Sequence, residues 1–234
     1  MTDRSPGPGQ VPGYGQVFRR PAGRFTGWIS GPLGSLPVGM ARIVYSRAEF
    51  AEARSYWWAA TAAVLVVYGA IFTVVTSSPV LGTSPVTLVA GSDLGTYLIM
   101  AVMTVLLLAV GVVSRRTGGI RARVFQAATM EEQWFRSGAE GWTWRQRVYS
   151  CVSFGFVHLF NLIYTVAAAG LLIGVGVMFM IIYLRELRVT GDVRKATIAA
   201  AKCHGTYNLI TLGILAMAVP LFWGLTGWDL VAAP

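Results

Sequence analysis

The chain has 234 residues, of which 55% are hydrophobic and only 12% are charged. Soluble domains carry about 25% charged residues, so this composition excludes an ordinary soluble domain and predicts an all-α protein, a polytopic transmembrane helical bundle. The net charge is +9, and the basic residues lie in an N-terminal tail and in alternate loops between apolar runs. This distribution is typical of cytoplasmic loops and not of a nucleic-acid-binding face. We therefore expect a lipid bilayer as partner and no nucleic acid.

The first 114 residues predict a tail, an interfacial helix and two membrane spans. Residues 1–40 are rich in Gly and Pro, and such a segment buries too little apolar surface to offset its ordering entropy, so we expect a disordered cytoplasmic tail. Apolar and charged positions alternate at helical spacing in residues 41–56, which predicts an interfacial helix. Residues 57–76 and 97–114 approach the length of about 20 apolar residues that a span needs. The segment between them has no Lys or Arg, which predicts that it lies outside.

Residues 115–149 are basic and contain a further helix over residues 120–137. Its apolar side combines Val124, Phe125, Ala128 and Trp134. We expect this helix to dip into the membrane interface without crossing it.

The last part of the chain predicts three more spans. Residues 148–185 would be about 57 Å long as one helix, nearly twice the thickness of a bilayer core, so we expect a hairpin that turns near residues 167–170. Residues 196–225 form the last span. The resulting five spans predict a multi-pass protein of the cell membrane with a cytoplasmic N-terminus and an external C-terminus.

The only adjacent acidic pair of the sequence lies in the helix over residues 120–137. Ionisable residues at membrane depth are energetically expensive and therefore indicate function. Glu132 and Arg136 are four residues apart, so the arginine can neutralise this carboxylate. Glu131 points about 100° away from Glu132, which leaves it without a partner on its own helix and free to face the bundle interior. A carboxylate of this kind suits a general base for water.

Only two histidines occur in the chain, and each begins or ends a helical four-residue spacing. Phe154 and His158 share one helix face, as do His204 and Asn208. One carboxylate, two imidazoles and one amide can together hold a water molecule and a developing oxyanion, which are the requirements of peptide hydrolysis.

The three motifs Glu-Glu-x-x-x-Arg, Phe-x-x-x-His and His-x-x-x-Asn occur in this order, and they resemble the CPBP family of intramembrane proteases. That family contains the type II CAAX prenyl endopeptidases and bacteriocin-processing or self-immunity proteins, and the resemblance covers residues 115–225. It implies a CPBP-like protease core in residues 115–234, preceded by the interfacial helix and two spans of residues 41–114. It also implies cleavage of a membrane-associated protein or peptide near the cytoplasmic face. The implied roles are water activation by Glu131, support by Glu132 and Arg136, and water orientation or oxyanion stabilisation by His158, His204 and Asn208.

The sequence leaves the metal and the activity open. Glu131, His158 and His204 would form a His₂Glu set with an open position, as in catalytic zinc sites, but the same residues can position water without a metal. A non-catalytic immunity or accessory protein that keeps the family fold is an alternative function. A small transporter is a weaker alternative, because the related halves of many transporters are not visible. Buried His and Glu side chains can also simply hold helices together in lipid.

Overall fold

The computed structural model describes residues 46–77, 84, 92–116, 119–161 and 165–232, all within one unit that comprises residues 43–234. The described residues form helices and turns without any strand, which confirms the predicted all-α class. The helices are α1 (Arg47–Glu52), α2 (Trp57–Ser77), α3 (Ser92–Arg116), α4 (Ile120–Arg136), α5 (Trp144–Val157), α6 (Val166–Thr190) and α7 (Val193–Ala232), with short 3-10 turns at Ala139–Gly141 and His158–Asn161. The predicted tail, residues 1–40, lies outside the described residues.

Local capping explains several of these helix ends. The Ser46 hydroxyl accepts from the Glu49 backbone while the Glu49 carboxylate accepts from the Ser46 backbone, a reciprocal capping box that starts α1. Thr143 and Gln146 start α5 in the same way. Gly191 ends α6 in the left-handed conformation, at φ 66°, which glycine adopts without steric cost. Of the predicted interfacial helix over residues 41–56, the structure describes residues 46–56, and these are helical only in α1.

The predicted hairpin turn near residues 167–170 is wrong, because these residues lie inside α6. The chain leaves α5 at Val157, passes through the second 3-10 turn and re-enters a helix at Val166. The Thr165 hydroxyl accepts a hydrogen bond from the Ala168 backbone and caps the start of α6. A side-chain cap thus determines where α6 begins, and Gly170 is accommodated within the helix.

Two glycines set the close approach of α5 to α6. A Cβ atom at Gly155 would lie 2.5 Å from the Ile173 side chain and 2.6 Å from the Ala169 carbonyl oxygen, and one at Gly176 would lie 3.0 Å from the Phe154 ring. Small residues allow helix backbones to pack this closely. As the chain advances along α5 it meets earlier residues of α6, so the two helices run antiparallel.

Gly205 performs the same role between α4 and α7. A Cβ atom there would lie 2.0 Å from the Phe125 ring, so only glycine fits the observed packing. Because Gly205 directly follows His204, this contact brings the histidine against the helix that carries the acidic pair.

The predicted α4 helix is confirmed to within one residue, because Ser137 is its C-cap. Phe125 and Ala128 are buried as expected, but Trp134 is 43% exposed. The buried face instead contains the charged side chains of Glu132 and Arg136. Trp134 follows Phe125 by nine residues, which is half a turn around the helix at 100° per residue, so it cannot share the buried face of Phe125, Ala128 and Glu132.

Within the described residues, two helices are long and apolar enough to cross a bilayer by length and composition. They are α6, Val166–Thr190, and the Val193–Leu225 part of α7. The described apolar parts of α2 and α3, Trp57–Ile71 and Leu94–Ala109, fall short of that length. The arrangement of five spans remains a prediction.

Candidate active site

A buried ion pair on α4 forms the centre of the site. The side chains of Glu132 and Arg136 are 0% and 1% exposed. Arg136 Nη1 donates to Glu132 Oε1 at 2.8 Å, and Nη2 donates to the Gly176 carbonyl on α6 at 3.2 Å. Burying two charges is tolerated where they pair with good geometry and gain further hydrogen bonds. The pairing that the four-residue spacing predicted is present.

His204 joins this pair from α7. Its Nδ1 lies 2.8 Å from Glu132 Oε1, and its side chain is buried. A carboxylate paired with arginine only accepts hydrogen bonds, so Nδ1 carries the proton and donates it. In the neutral ring, Nε2 then presents a lone pair. Glu132 thus fixes both the tautomer and the orientation of His204, as carboxylates do for functional histidines.

Glu131 lies on the other side of the same imidazole. Its Oε2 is 3.6 Å from His204 Nε2, and its side chain is 33% exposed. Its neighbour His204 is on α7. Because the Glu131 side chain is partly exposed, it lies at the edge of the bundle interior and not within it. The distance exceeds that of a direct hydrogen bond. A water molecule can bridge such a gap by donating one hydrogen to each acceptor.

His158 occupies a helix end. It is the C-cap of α5 and the first residue of the 3-10 turn, whereas the sequence placed it well inside a span. Its Nδ1 lies 2.7 Å from the Phe154 carbonyl oxygen. The Phe154 ring meets the ring of His158 at 4.9 Å between centroids and that of His204 at 5.6 Å, both edge-on. Both histidines therefore contact one phenyl ring.

Asn208 lies one turn beyond His204 on α7 and is half-buried. This position agrees with the helical spacing that the sequence predicted. Its amide is on the face that carries His204, and its role remains a prediction.

The sequence left a metal open, and the His₂Glu set of Glu131, His158 and His204 is not assembled in the described part of the chain. Among the described residues, no three His, Cys, Asp or Glu side chains come together in a group that could hold a metal ion. Glu131 and His204 are neighbours, but His158 does not complete a set with them. The chemistry of the site is therefore derived from the side chains alone.

The apolar part of the site was not predicted from the sequence. Phe179 on α6 stacks on His204 with 4.5 Å between centroids and 22° between planes, and Gly176 supplies a carbonyl to Arg136. Both lie in a uniformly apolar run with no polar signal. Gly176 allows α5 to approach there, but a single glycine in an apolar run does not identify the neighbouring helix.

A second buried carboxylate, Glu186, lies away from the site near the end of α6. It accepts a hydrogen bond from the Tyr56 hydroxyl, and Arg54 Nη1 is 3.5 Å from it. Cys203 Sγ donates to the Tyr56 carbonyl at 3.6 Å. This cluster ties the segment before α2 to α6 and α7, and the sequence analysis did not anticipate it.

Comparison with protein-family models, curated proteins and solved structures finds no match for the chain. The resemblance to the CPBP proteases therefore remains a hypothesis based on three motifs in order. The contacts among Glu131, Glu132, Arg136 and His204 are observed independently of that hypothesis.

Proposed function

We propose that the protein is an intramembrane endopeptidase that hydrolyses a peptide bond of a membrane-associated protein or peptide near the cytoplasmic face. The observation that carries the proposal is the position of His204 between two carboxylates of different exposure. Glu132 accepts from Nδ1 at 2.8 Å, and Glu131 lies 3.6 Å from Nε2. This arrangement resembles an oriented base next to a carboxylate that can reach water.

Glu131 is the better general base of the two glutamates. The charge of Glu132 is balanced by Arg136 at 2.8 Å, and its side chain is fully buried. Glu131 is one-third exposed, so water and substrate can reach it. The ion pair is neutral as a unit, and Glu131 therefore carries the negative charge that can take a proton from water.

In the proposed reaction, a water molecule between Glu131 and His204 directs one hydrogen to each of them. Its oxygen then attacks the scissile carbonyl carbon as Glu131 takes the proton, and Glu131 returns that proton to the leaving amine. Glu132 holds His204 in the required tautomer throughout, which is the role of the buried carboxylate in a catalytic triad. His158 and Asn208 are assigned to the developing oxyanion because the CPBP resemblance implies that role.

The proposed membrane position follows from the hairpin of α6 and α7. His204 lies 11 residues after Val193, which is about 16 Å along the helix from the turn, and Lys202 lies between them. Basic residues flank the turn between the helices, which favours a cytoplasmic location for it. They are Arg185, Arg188, Arg194 and Lys195. The proposed site then lies in the cytoplasmic half of a five-span bundle.

A non-catalytic accessory protein is the second candidate. The hydrogen bonds of Glu132 and Arg136 join α4, α6 and α7. A network that joins three helices can have a purely structural role, and this favours the accessory protein. Glu131 is one-third exposed and lies 3.6 Å from His204 Nε2, outside these hydrogen bonds. Substitution of Glu131 therefore distinguishes the endopeptidase from the accessory protein.

The test compares new protein N-termini in membrane fractions of cells that produce the wild type, Glu131→Gln or Glu52→Gln. Glu52 is exposed on α1 and serves as the matched control. We expect cleavage products that depend on the wild type to persist with Glu52→Gln and to disappear with Glu131→Gln at equal protein level. Identical product sets for the wild type and Glu131→Gln would reject the peptidase and favour the accessory role.

A further inference from the structure

Phe179 contacts both ionisable partners of Glu132, although it belongs to none of the three motifs. Its side chain is fully buried on α6. The ring stacks on the imidazole of His204 at 4.5 Å and 22°. On the same ring, Arg136 Cζ lies 5.3 Å from the centroid. An apolar residue thus touches both the imidazole and the guanidinium of the site.

Phe154 supplies a second aromatic wall at a right angle to the first. The two phenyl rings are 6.1 Å apart at 83°, and Arg136 Cζ lies 4.9 Å from the Phe154 centroid. The guanidinium therefore faces two rings while two of its nitrogens bond to Glu132 and Gly176. Within the described residues its Nε has no hydrogen-bond partner. Aromatic faces stabilise a guanidinium in such a setting.

The stacked ring also limits how His204 can turn. Rotation of the imidazole about its Cβ–Cγ bond would drive the ring edge into Phe179, because the two planes lie within 22° of each other. Two orientations keep the imidazole parallel to this ring, and the hydrogen bond to Glu132 selects the one with Nδ1 on Glu132 and Nε2 towards Glu131. A loss of the phenyl ring would release this rotation without removing any hydrogen-bonding group.

We propose that Phe179 is a positioning residue of the site and that its ring holds His204 with Nε2 facing Glu131. The catalytic consequence rests on the proposed endopeptidase function, whereas the orientation of the imidazole does not. Gly176, one turn earlier on α6, supports this placement because its lack of a side chain lets Phe154 close the other wall.

The orientation can be measured without activity because the chain has only two histidines. We choose NMR of ¹⁵N-histidine-labelled protein in lipid nanodiscs, with His158→Gln used only to assign the two imidazoles. In the wild type we expect His204 to be protonated at Nδ1, with ring protons displaced upfield by the stacked Phe179 ring. The absence of both signatures in the wild type would overturn the proposal without any core variant.

The variant Phe179→Met removes the aromatic ring and keeps much of the side-chain volume. We expect a mixture of His204 tautomers, loss of the upfield displacement, and a fall in kcat of about ten- to a hundred-fold, the range for groups that orient a functional histidine, with a smaller change in KM. Phe179→Tyr keeps the ring and should retain the wild-type signatures. Phe222→Met removes a ring that packs on Tyr97 and Trp223 and should leave His204 unchanged.

The outcomes separate the two proposals. Folded Phe179→Met protein with wild-type His204 signals would overturn the positioning role, whatever the activity. If the wild-type protein cleaves no peptide and Phe179→Met still alters the His204 signals, the positioning role is supported and the endopeptidase is rejected. A similar change in Phe222→Met would show a general loss of packing and would also overturn the specific role of Phe179.

Discussion

Glu131 and Glu132 are adjacent and chemically identical, but their environments differ. The surroundings of Glu132 suit a structural role, and those of Glu131 suit the proposed chemistry. Glu132 accepts hydrogen bonds from Arg136 and His204 in a dry interior, and Glu131 is partly exposed beside the opposite ring nitrogen. A helical rotation of about 100° between consecutive residues is enough to produce this difference. The contrast leads to opposite expectations for the same substitution at the two positions.

We expect Glu132→Gln to lower the free energy of unfolding by about 3–5 kcal/mol, because it leaves the Arg136 charge buried without compensation. Glu131→Gln should change it by less than about 0.5 kcal/mol, as is usual for substitutions away from the core. Reversible unfolding in mixed micelles measures both values. Equal losses in the two variants would contradict the assignment of Glu132 to structure and of Glu131 to chemistry.

The sequence predicted the Glu132–Arg136 contact because a four-residue spacing on a helix determines which side chains meet. It did not predict that His204 would share the same carboxylate oxygen, since 72 residues separate Glu132 from His204 and only the packing of α4 on α7 brings them together. Phe179 was missed for the same reason. Its ring becomes significant only through its two neighbours from other helices.

At the scale of the helices, close contacts at glycines determine which faces meet. The contact of Phe125 with Gly205 brings α4 onto α7 directly beside His204. Phe125 cannot easily move aside, because its ring is buried and Phe50 packs on it at 4.4 Å. A methyl group at Gly205 must therefore separate the two helices or distort one of them.

We expect Gly205→Ala to destabilise the protein by about 1–3 kcal/mol through overpacking and to weaken the contact of His204 with Glu132. Gly213→Ala, on the same helix and with nothing within 4 Å of the added carbon, should be neutral or stabilising by up to about 1 kcal/mol. Thermal unfolding of the two variants in one detergent provides the comparison. A Gly205→Ala variant as stable as Gly213→Ala would show that α4 and α7 are not closely packed there.

The short helix α1 is held on α7 by an exposed ion pair and by Lys202. Arg194 Nη2 donates to Glu49 Oε2 at 2.9 Å, and Lys202 Nζ donates to the carbonyls of Ala51 and Ala53 at 3.3 and 2.7 Å. The pKa of Glu49 is lowered from 4.5 to about 2, and the hydrogen bond from Arg194 is the largest cause. The hydrogen bonds from Ser46 are the next largest. The carboxylate therefore remains ionised in moderately acidic solution.

This shift gives a pH dependence of defined sign. Because the folded-state pKa of Glu49 lies below its ordinary value, the contact stabilises the docked α1 fully above pH 4.5, and this stabilisation is lost as the pH falls towards about 2. We expect Arg194→Gln to raise the pKa of Glu49 towards its ordinary value, measured by ¹³C NMR of the carboxyl group. An unchanged titration midpoint would mean that Arg194 does not hold Glu49 in solution.

The helix boundaries show which local signals can be read from sequence. The extent of α4 was predicted to within one residue because its apolar and charged positions follow the helical period. The α6 start was misplaced because Gly170 was taken as the turn, although glycine is common within membrane helices and the capping hydroxyl of Thr165 stood five residues earlier. Composition predicted the all-α class, whereas the start of α6 depends on a single capping hydroxyl at Thr165.

At the scale of the whole molecule, α6 and the Val193–Leu225 part of α7 are, among the described residues, the two helices that are both long and apolar enough to cross a bilayer, and a short turn at Gly191 joins them. The sequence-based arrangement of five spans also needs α2, α3 and the segment that contains α5. Hydropathy alone does not define these three spans. A helix that packs on other helices and a helix that faces lipid can have the same apolar composition. The orientation of α7 is therefore the most direct test of the arrangement.

We expect the turn between α6 and α7 to be cytoplasmic and a reporter fused after Pro234 to be external, because basic residues flank the turn and α7 is long enough to cross the bilayer. The measurement labels Lys195→Cys with a membrane-impermeant thiol reagent before and after the cells are permeabilised. Lys195 is exposed, whereas Cys151 and Cys203 are buried, so the native thiols add little background. Labelling should appear only after permeabilisation, while the C-terminal reporter is active outside. If both positions report the same side, α7 does not cross the bilayer, and the proposed depth of His204, about 16 Å from the turn, is wrong.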